Sequence, residues 1–271
     1  QTRRPEVVVV VDDASPAVLD PALEAWPDAE TLVCLRMSYN CGPAAARSVG
    51  MRLLRHWAGG RRVVACLTDS DAAPSPLWCE AMLEAQASKP GIFCGPTLSS
   101  TDCHTGRFHD HFGNLNGRWT WDDPQGVLLY GCTCNFSADL TALGDMEFDP
   151  IFSRPGFEDI ELCWRARKEL GVFTRYCEKA RVFHEYDRGF VGLYRQFWKY
   201  GHTEPIMAWM HPQFTFQDSR PVTADFCDPR QPELSPEQKA ALEEIRARMA
   251  AQGFPKRSAS PGGQPEALEG A

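Results

Sequence analysis

The sequence predicts an α/β protein with a mostly parallel sheet flanked by helices, and three observations lead to this fold class. Two unbroken apolar runs, "EVVVVVDD" at residues 6–13 and "RRVVACLTDSD" at residues 61–71, each end in acidic residues. Such runs are typical of strands that are buried on both faces. An amphipathic segment, "GPAAARSVGMRLLRHW", lies between them. Strand-like and helix-like segments then keep alternating, which indicates a parallel sheet with crossover helices.

The helix between the two runs has clear start and stop signals. Pro43 suits a first helical turn, and Gly59 with Gly60 suits a helix end. "SPLWCEAMLEAQAS" then predicts a second amphipathic helix, and "GIFCGPTLS" predicts a third strand. Residues 101–126 are rich in His, Gly, Asn, Asp and Trp without a clear period, so we expect a long functional loop there.

The second half of the chain adds elements of both kinds. "VLLYGCTCNFSADLTALG" predicts a strand and a short helix, "VFTRYCEKARVFHEY" two strands, and "GFVGLYRQFWKYG" an aromatic-rich helix. "FEDIELCWRARKELG" predicts a helix, because Glu161 and Arg165 form a favourable i,i+4 pair and Gly171 is a suitable stop.

We predict three parts along the chain. An α/β domain covers residues 1–211, a small C-terminal helical extension covers residues 212–254, and a disordered tail covers residues 255–271. The extension contains "SPEQKAALEEIRARMAAQG", which begins with a Ser-x-x-Gln capping signal. The tail has too few apolar residues to order itself by burial.

Composition excludes several classes of function. The net charge of −8 and the pI near 5.4 argue against non-specific nucleic-acid binding, which needs a basic face. No apolar run approaches the length of a membrane span, and no signal peptide is visible. We therefore expect a cytoplasmic protein without a transmembrane segment, for which peripheral contact with a membrane stays open.

Eleven cysteines have three explanations. Disulfides suit small secreted scaffolds, and this chain is long and lacks a secretory signal. A zinc site needs paired C-x₂-C spacing, whereas Cys132 and Cys134 are separated by one residue. We expect reduced, buried cysteines that act as small apolar residues.

Two acidic clusters follow predicted strands: Asp12 with Asp13, and Asp69 with Asp71. Ligands of open α/β sheets collect at the carboxyl ends of strands. Asp is also a common turn and helix-capping residue, which is the plainer explanation for each cluster taken alone. Like charges this close need a metal ion, a basic side chain or water between them.

A series of motifs then resembles a known family. "VVVVVDDAS", "NCGPAAARSVGMRLL", "LTDSDAAPSPLW", "GCTCNFSADLTALG", "GFEDIELCWRARKELG" and "VFHEYDRGFVGLYRQFWKYG" occur in this order. The series resembles a family 2 glycosyltransferase of the GT-A fold, a Rossmann-like α/β fold, from about Gln1 to about His211. The order of the motifs carries this resemblance, because a single D-x-D motif is a weak signal.

The resemblance implies a nucleoside-diphosphate-sugar donor, with a UDP-sugar favoured, and a divalent metal, Mn²⁺ or Mg²⁺. Hard cations of this kind take oxygen ligands and neutralise a leaving diphosphate. The donor-binding residues that it implies are Asp12, Asp13, Arg47, Asp69 and Asp71, and the metal ligands are Asp71, Asp69 and His184. Without the surrounding motif, His184 reads as an ordinary core or surface histidine.

The same resemblance implies a catalytic base. Asp159 matches that position, with its neighbour Glu158 as the less favoured candidate. An acceptor hydroxyl needs a carboxylate within hydrogen-bond reach to take its proton, and in an inverting reaction this base lies opposite the leaving group. The acceptor-site candidates are Trp119, Trp121, Gly131 and Asn135.

One part of the family pattern has no counterpart in the sequence. The family opens with an apolar strand that ends in Pro-x-Tyr-Asn, followed by a helix, whereas "QTRRPEVVVVVDD" corresponds to the link into the second strand. We expect about 20 or more residues to precede Gln1 in the natural protein, roughly one strand and one helix. The nucleotide site of this chain would then be incomplete.

Two other functions stay open from the sequence. A nucleotidyltransferase also uses strand-end acids and Mg²⁺, although the basic, Gly-rich phosphate loop of that class is not seen. A non-catalytic protein could also keep the fold. Binding of UDP with Mn²⁺ would separate the two enzymes from the non-catalytic protein, and hydrolysis of UDP-sugars would separate the glycosyltransferase from the nucleotidyltransferase.

Overall fold

The computed structural model of the chain describes residues 1–17, 31–112, 127–186 and 189–214, together with residues 23 and 240. The chain divides into two compact units, Gln1–Glu233 and Leu234–Ala271. Most of the predicted helical extension and all of the predicted tail lie outside the described residues. The three-part division therefore stays a prediction.

The described residues form ten strands and seven helices. The strands are β1 (Val8–Asp12), β2 (Leu32–Arg36), β3 (Val64–Thr68), β4 (Ala72–Pro74), β5 (Ile92–Cys94), β6 (Thr97–Ser99), β7 (Val127–Leu128), β8 (Asn135–Asp139), β9 (Thr174–Tyr176) and β10 (Val182–His184). The helices are α1 (Pro43–Ala58), α2 (Trp78–Ser88), α3 (His104–Phe112), α4 (Leu140–Leu143), α5 (Glu158–Leu170), α6 (Gly189–Gly201) and α7 (Glu204–Met210).

The α/β class is confirmed, but the sheet is mixed instead of mostly parallel. The strands pair in the orders β1-β2, β4-β10-β6 and β3-β8-β5-β9-β7. β1–β2, β6–β10 and β5–β9 are parallel, whereas β8 runs antiparallel to both β3 and β5. The sequence did not predict the direction of β8, because this strand follows a long connecting segment of the chain. A strand that returns in this way can insert in either direction, and its residues, "NFSAD", carry no directional signal.

Two further segments differ from their predictions. "GIFCGPTLS" forms two strands in different sheets, β5 and β6, because Gly95 and Pro96 separate them. A Cβ atom on Gly95 would lie 2.0 Å from the carbonyl oxygen of Ala180, so the chains cross too closely there for any side chain. The predicted loop at residues 101–126 contains α3, which packs on β6 and α6.

The predicted ends of α1 and α5 are confirmed. Pro43 begins α1, and Gly59 ends it in the left-handed conformation that glycine adopts easily. Gly171 ends α5 in the same way, and Arg165 pairs with Glu161 at 2.7 Å between Nε and Oε1. α1 packs on β1, and α2 packs on β3, β5 and β8.

The larger core cluster joins the five-stranded sheet to α1 and α5. Phe136, Phe148 and Phe152 are among its fully buried side chains. A smaller cluster lies under α2, around Trp78 and Met82. A cavity of about 950 Å³ is lined by residues of β1, α1, β3 and α2.

The ten cysteines in the described part of the chain are free, and five of them are buried. Burial raises the pKa of Cys132 and Cys134, so both are neutral thiols at neutral pH. Since zinc binds thiolates, this environment does not suit a metal-ligand pair.

Candidate active site

The antiparallel pairing of β4 with β10 builds the centre of the candidate site. In this register His184 lies opposite Ala72, the residue that follows Asp71. The backbone N–H of Glu185 donates to the carbonyl oxygen of Asp71 at 2.9 Å, which extends the pairing by one step. Two segments that are more than a hundred residues apart in sequence therefore bring Asp71 and His184 together.

Asp69, Asp71 and His184 each offer one ligand atom, and these atoms lie within 4.8 Å of one another. Nε2 of His184 lies 3.4 Å from Oδ1 of Asp71. This distance exceeds the 2.7–2.9 Å that is typical of a charge-assisted hydrogen bond. Both carboxylate side chains are 33% exposed, so solvent and ligands can reach them, whereas the His184 side chain is almost fully buried.

The histidine also has the protonation pattern that a metal ligand needs. Nδ1 of His184 lies 2.9 Å from the carbonyl oxygen of Glu185. A carbonyl oxygen only accepts hydrogen bonds, so Nδ1 carries the proton and the lone pair of the neutral ring is on Nε2, the nitrogen that faces Asp71. A backbone carbonyl on the far nitrogen is the usual way in which proteins orient a metal-binding histidine. The donor set of two carboxylates and one imidazole therefore fits a divalent cation.

Arg47 connects this cluster to the predicted catalytic acids. Its Nη2 donates to Oδ1 of Asp69 at 3.0 Å, and its Nη1 donates to Oε1 of Glu158 at 2.7 Å. Burial alone would lower the pKa of Arg47, but Asp69 and Glu158 raise it overall, so the guanidinium stays charged. The partly buried guanidinium of Arg47 therefore binds both the D-x-D segment and the start of α5.

Asp159 lies beside Glu158 in the first turn of α5 and is partly buried. Its Oδ1 accepts a hydrogen bond from its neighbour's backbone, the N–H of Ile160, at 2.9 Å, and its Oδ2 accepts one from the N–H of Thr133 at 3.3 Å. Burial, followed by the charge of Glu158, raises the pKa of Asp159 from 3.8 to about 7, against the opposing effect of Arg47. A carboxylate with a pKa near neutrality can take up a proton at physiological pH.

Backbone strain accompanies these acids. The two non-glycine residues with positive φ among the described residues are Phe157, which precedes Glu158, and Ala14, which follows Asp13. Each such conformation costs about 1–3 kcal/mol and persists only where the surroundings enforce it. At Phe157, the hydrogen bond from Gly156 N–H to Oε2 of Glu158, at 2.6 Å, is one such enforcing contact.

The other acidic pair has a different environment. Asp12 is buried and accepts from Nη1 of Arg36 at 2.7 Å and from the N–H of Ser15 at 2.9 Å. Hydrogen bonds from Ser15, with a further contribution from Arg36, hold the pKa of Asp12 below its usual value. Asp13 accepts from the N–H groups of Cys41 and Gly42, both at 2.8 Å, just before α1.

Glycine is required at position 42. Its φ is +89°, and a Cβ atom there would lie 2.1 Å from the carbonyl oxygen of Ser153. Through its hydrogen bonds from Cys41 and Gly42, Asp13 holds the start of the helix that carries Arg47.

Two of the predicted acceptor residues, Asn135 and Gly131, are described, and both are buried. Asn135 is fully buried, and its amide is used by Trp78 Nε1 at 2.8 Å and by the carbonyl oxygens of Pro96 and Ala180. Gly131 is also buried, and its N–H donates to the sulfur of Cys163 at 3.4 Å. Trp119 and Trp121 lie outside the described residues.

The sequence interpretation missed Tyr186. Its ring is buried and stacks on His184 with centroids 4.7 Å apart and on His109 at 4.1 Å. The sequence contained a signal for this contact, because Tyr186 is two residues after His184 and residues two apart on an extended segment point to the same side. The hydrogen bond from Thr133 to Asp159 could not have been predicted from the sequence, since it is made by a backbone N–H and does not depend on the residue type.

Comparison with solved structures identifies the class. A crystal structure of GalNAc-T7 with UDP, GalNAc and Mn²⁺ matches with a TM-score of 0.51 and 16% identity, covering 68% of this chain and 39% of that one. The mannosyltransferase PcManGT from Pyrobaculum calidifontis, in complex with GDP-Man and Mn²⁺, gives a TM-score of 0.47 and 17% identity over 91% of this chain and 72% of that one. The first likeness shows that the chain has the GT-A glycosyltransferase fold.

The sequence matches the family model "Glycosyl transferase family 2" over residues 1–140, and the chain belongs to this family. No match was found among curated proteins. The matched segment includes Asp13, Arg47, Asp69 and Asp71, but it ends before Asp159 and His184. The family match therefore covers the first half of the candidate site, and the geometry alone links the second half to it.

Proposed function

We propose that this glycosyltransferase is a metal-dependent, inverting hexosyltransferase that moves a sugar from a nucleoside-diphosphate sugar to an acceptor hydroxyl. The observation that carries the proposal is the convergence of Asp69, Asp71 and His184 within 4.8 Å, next to the guanidinium that also holds Glu158. The three ligand atoms would hold Mn²⁺ or Mg²⁺. When bound, the cation supplies positive charge for the leaving diphosphate.

The remaining residues take supporting roles in this proposal. Arg47 supplies a second, permanent positive charge beside Asp69. Asp12 and Asp13 shape the donor side of the site through the loops that they hold. A UDP-sugar is the favoured donor, and the solved relative GalNAc-T7 was crystallised with UDP and Mn²⁺.

Asp159 would be the catalytic base. It comes from a different segment than the D-x-D pair, as an in-line displacement requires, and the helix N-terminus favours its charged form while burial opposes it. Glu158 is less suited to this role, because its carboxylate is ion-paired with the Arg47 guanidinium and its side chain is only 5% exposed. A cytoplasmic location stays a prediction.

Isothermal titration of the chain with UDP, with and without Mn²⁺, tests the donor and metal roles. We expect binding that requires Mn²⁺ and that becomes at least about 100-fold weaker in Asp71→Ala, because one of three ligands is lost. The matched control is Asp102→Ala, since Asp102 lies on the surface and pairs with an exposed arginine, Arg107. UDP binding that is equally tight without Mn²⁺, or in Asp71→Ala, would contradict the proposal.

A further inference from the structure

Helix α6 has an apolar face that the described part of the chain leaves largely exposed, with ring contacts to α3 only at Phe190 and Phe197. Phe190 is 71% exposed, Tyr194 66% and Trp198 60%. Val191 and Phe197 are exposed on the same helix. The spacing of three, four and seven residues places these side chains on one side of the helix. We call these five residues the α6 stripe.

The stripe is a feature of the helix surface and not of the core. Leu193, Gln196 and Tyr200 occupy the opposite side and are partly buried. Half of the large apolar side chains that the described residues expose lie on α6 and α7, with Trp209 on α7 75% exposed. Contiguous exposed apolar surface of this kind marks an interaction site.

The charges around the stripe indicate its partner. Arg195 and Lys199 are exposed and lie next to each other along one margin of the stripe, and α6 contains no acidic residue. This local positive charge stands out in a chain with a net charge of −8. A symmetric contact between two copies would bring the positive margins of the two stripes close together, which disfavours association between copies.

We infer that the α6 stripe docks on the surface of an anionic lipid bilayer. Aromatic side chains lie well in the headgroup region, and flanking Arg and Lys residues pair with anionic headgroups. Among the residues that the structure describes, no helix is both long enough and apolar enough to cross a bilayer. The contact is therefore peripheral, and it does not depend on the proposed glycosyl transfer.

Co-sedimentation of the full chain with vesicles tests this inference. One set contains phosphatidylcholine alone, and the other contains phosphatidylcholine with phosphatidylglycerol. We expect at least about tenfold tighter binding to the anionic set. The double variant Tyr194→Ser/Trp198→Ser should bind at least about tenfold more weakly than the parent chain, because apolar burial in the interface is lost.

Two further variants separate the stripe from general effects. Arg195→Gln/Lys199→Gln should lower binding to anionic vesicles about fivefold per charge and leave binding to neutral vesicles unchanged. Trp57→Ser removes an exposed tryptophan from α1 and should leave vesicle binding unchanged. Thermal unfolding of each variant checks that it is folded.

Three results would overturn the inference. The parent chain could fail to bind anionic vesicles, or the double variant could bind them as tightly as the parent chain does. In the third case the parent chain would be a dimer in solution that the double variant dissociates, which would make the stripe a contact between copies.

Discussion

Two pairs of acids lie at the ends of partly buried strands in this protein, and they have opposite environments. The side chain of Asp12 is 1% exposed and is bound by Arg36. Asp13 accepts two backbone N–H groups of the loop before α1. The side chains of Asp69 and Asp71 are 33% exposed, and their oxygens converge with Nε2 of His184.

The difference shows what decides the role of a strand-end acid. At the first pair the donors come from the chain itself, so the carboxylates hold loops in place. At the second pair the chain brings further ligand atoms to the same point, an arrangement that suits a cation from solution. Neighbours from distant segments, and not the acids themselves, set the two roles.

The largest expected effect concerns Asp159, the neighbour of the Glu158 carboxylate that Arg47 binds. Asp159→Asn should lower kcat about 10³-fold, because an amide cannot take the acceptor proton. Binding of UDP with Mn²⁺ should stay unchanged, which calorimetry can measure. Asp102→Asn is the control, since it makes the same substitution on the surface. Wild-type turnover in Asp159→Asn would remove Asp159 from the mechanism.

The raised pKa of Asp159 adds a pH dependence to this comparison. As a base it works only when ionised, so kcat/KM should rise as the pH passes about 7, and the residual activity of Asp159→Asn should lack this step.

The stability of the folded chain should change with pH in the opposite direction. The folded chain holds this proton more tightly than the unfolded chain, so stability falls between about pH 4 and 7 as the pH rises, and Asp159→Asn should flatten this part of the curve.

The two acidic pairs should also differ in their effect on folding. Asp12→Ala removes the carboxylate partner of the Arg36 guanidinium and the acceptor for Ser15, so it should lower the midpoint of urea unfolding clearly. Asp71→Ala removes a third-exposed carboxylate and should change the free energy of unfolding by less than about 0.5 kcal/mol. If Asp71→Ala unfolded more readily than Asp12→Ala, the division into a structural pair and a binding pair would be wrong.

A smaller loss of stability is expected at Asp13 than at Asp12. Asp13→Ala removes a carboxylate that accepts two N–H groups at the start of α1, a loss of about 1 kcal/mol for a capping interaction. Asp13→Asn keeps one acceptor oxygen and should lose less. Urea unfolding of the two variants measures the difference. Equal stability of Asp13→Ala and the parent chain would show that the loop before α1 does not depend on the Asp13 carboxylate.

The sequence predicted the parts of this molecule that depend on local signals. Pro43, Gly59 and Gly171 marked helix ends because proline and glycine act on the backbone directly. The direction of β8 was not predictable, since it depends on which strands accept it. The split of "GIFCGPTLS" was missed, although Gly95 and Pro96 were visible signals for a break.

The candidate site shows the same difference between features with local signals and features that depend on the tertiary structure. The ordered motifs pointed to Asp69, Asp71 and His184, and the structure brings these three residues together. Asn135 is also in a motif, but its amide is occupied by core contacts that only the tertiary structure reveals. The link through Arg47, which spans Asp69 and Glu158, depends on three segments and has no counterpart in any local pattern.

The most direct test of the cation site is a crystal structure with Mn²⁺ and UDP, in which anomalous scattering locates the metal. We predict one strong anomalous peak within about 2.0–2.3 Å of a carboxylate oxygen of Asp71 and of Nε2 of His184, with Asp69 and the diphosphate beside it. A fully occupied Mn²⁺ elsewhere in the chain, with UDP bound and no peak between Asp71 and His184, would contradict the site.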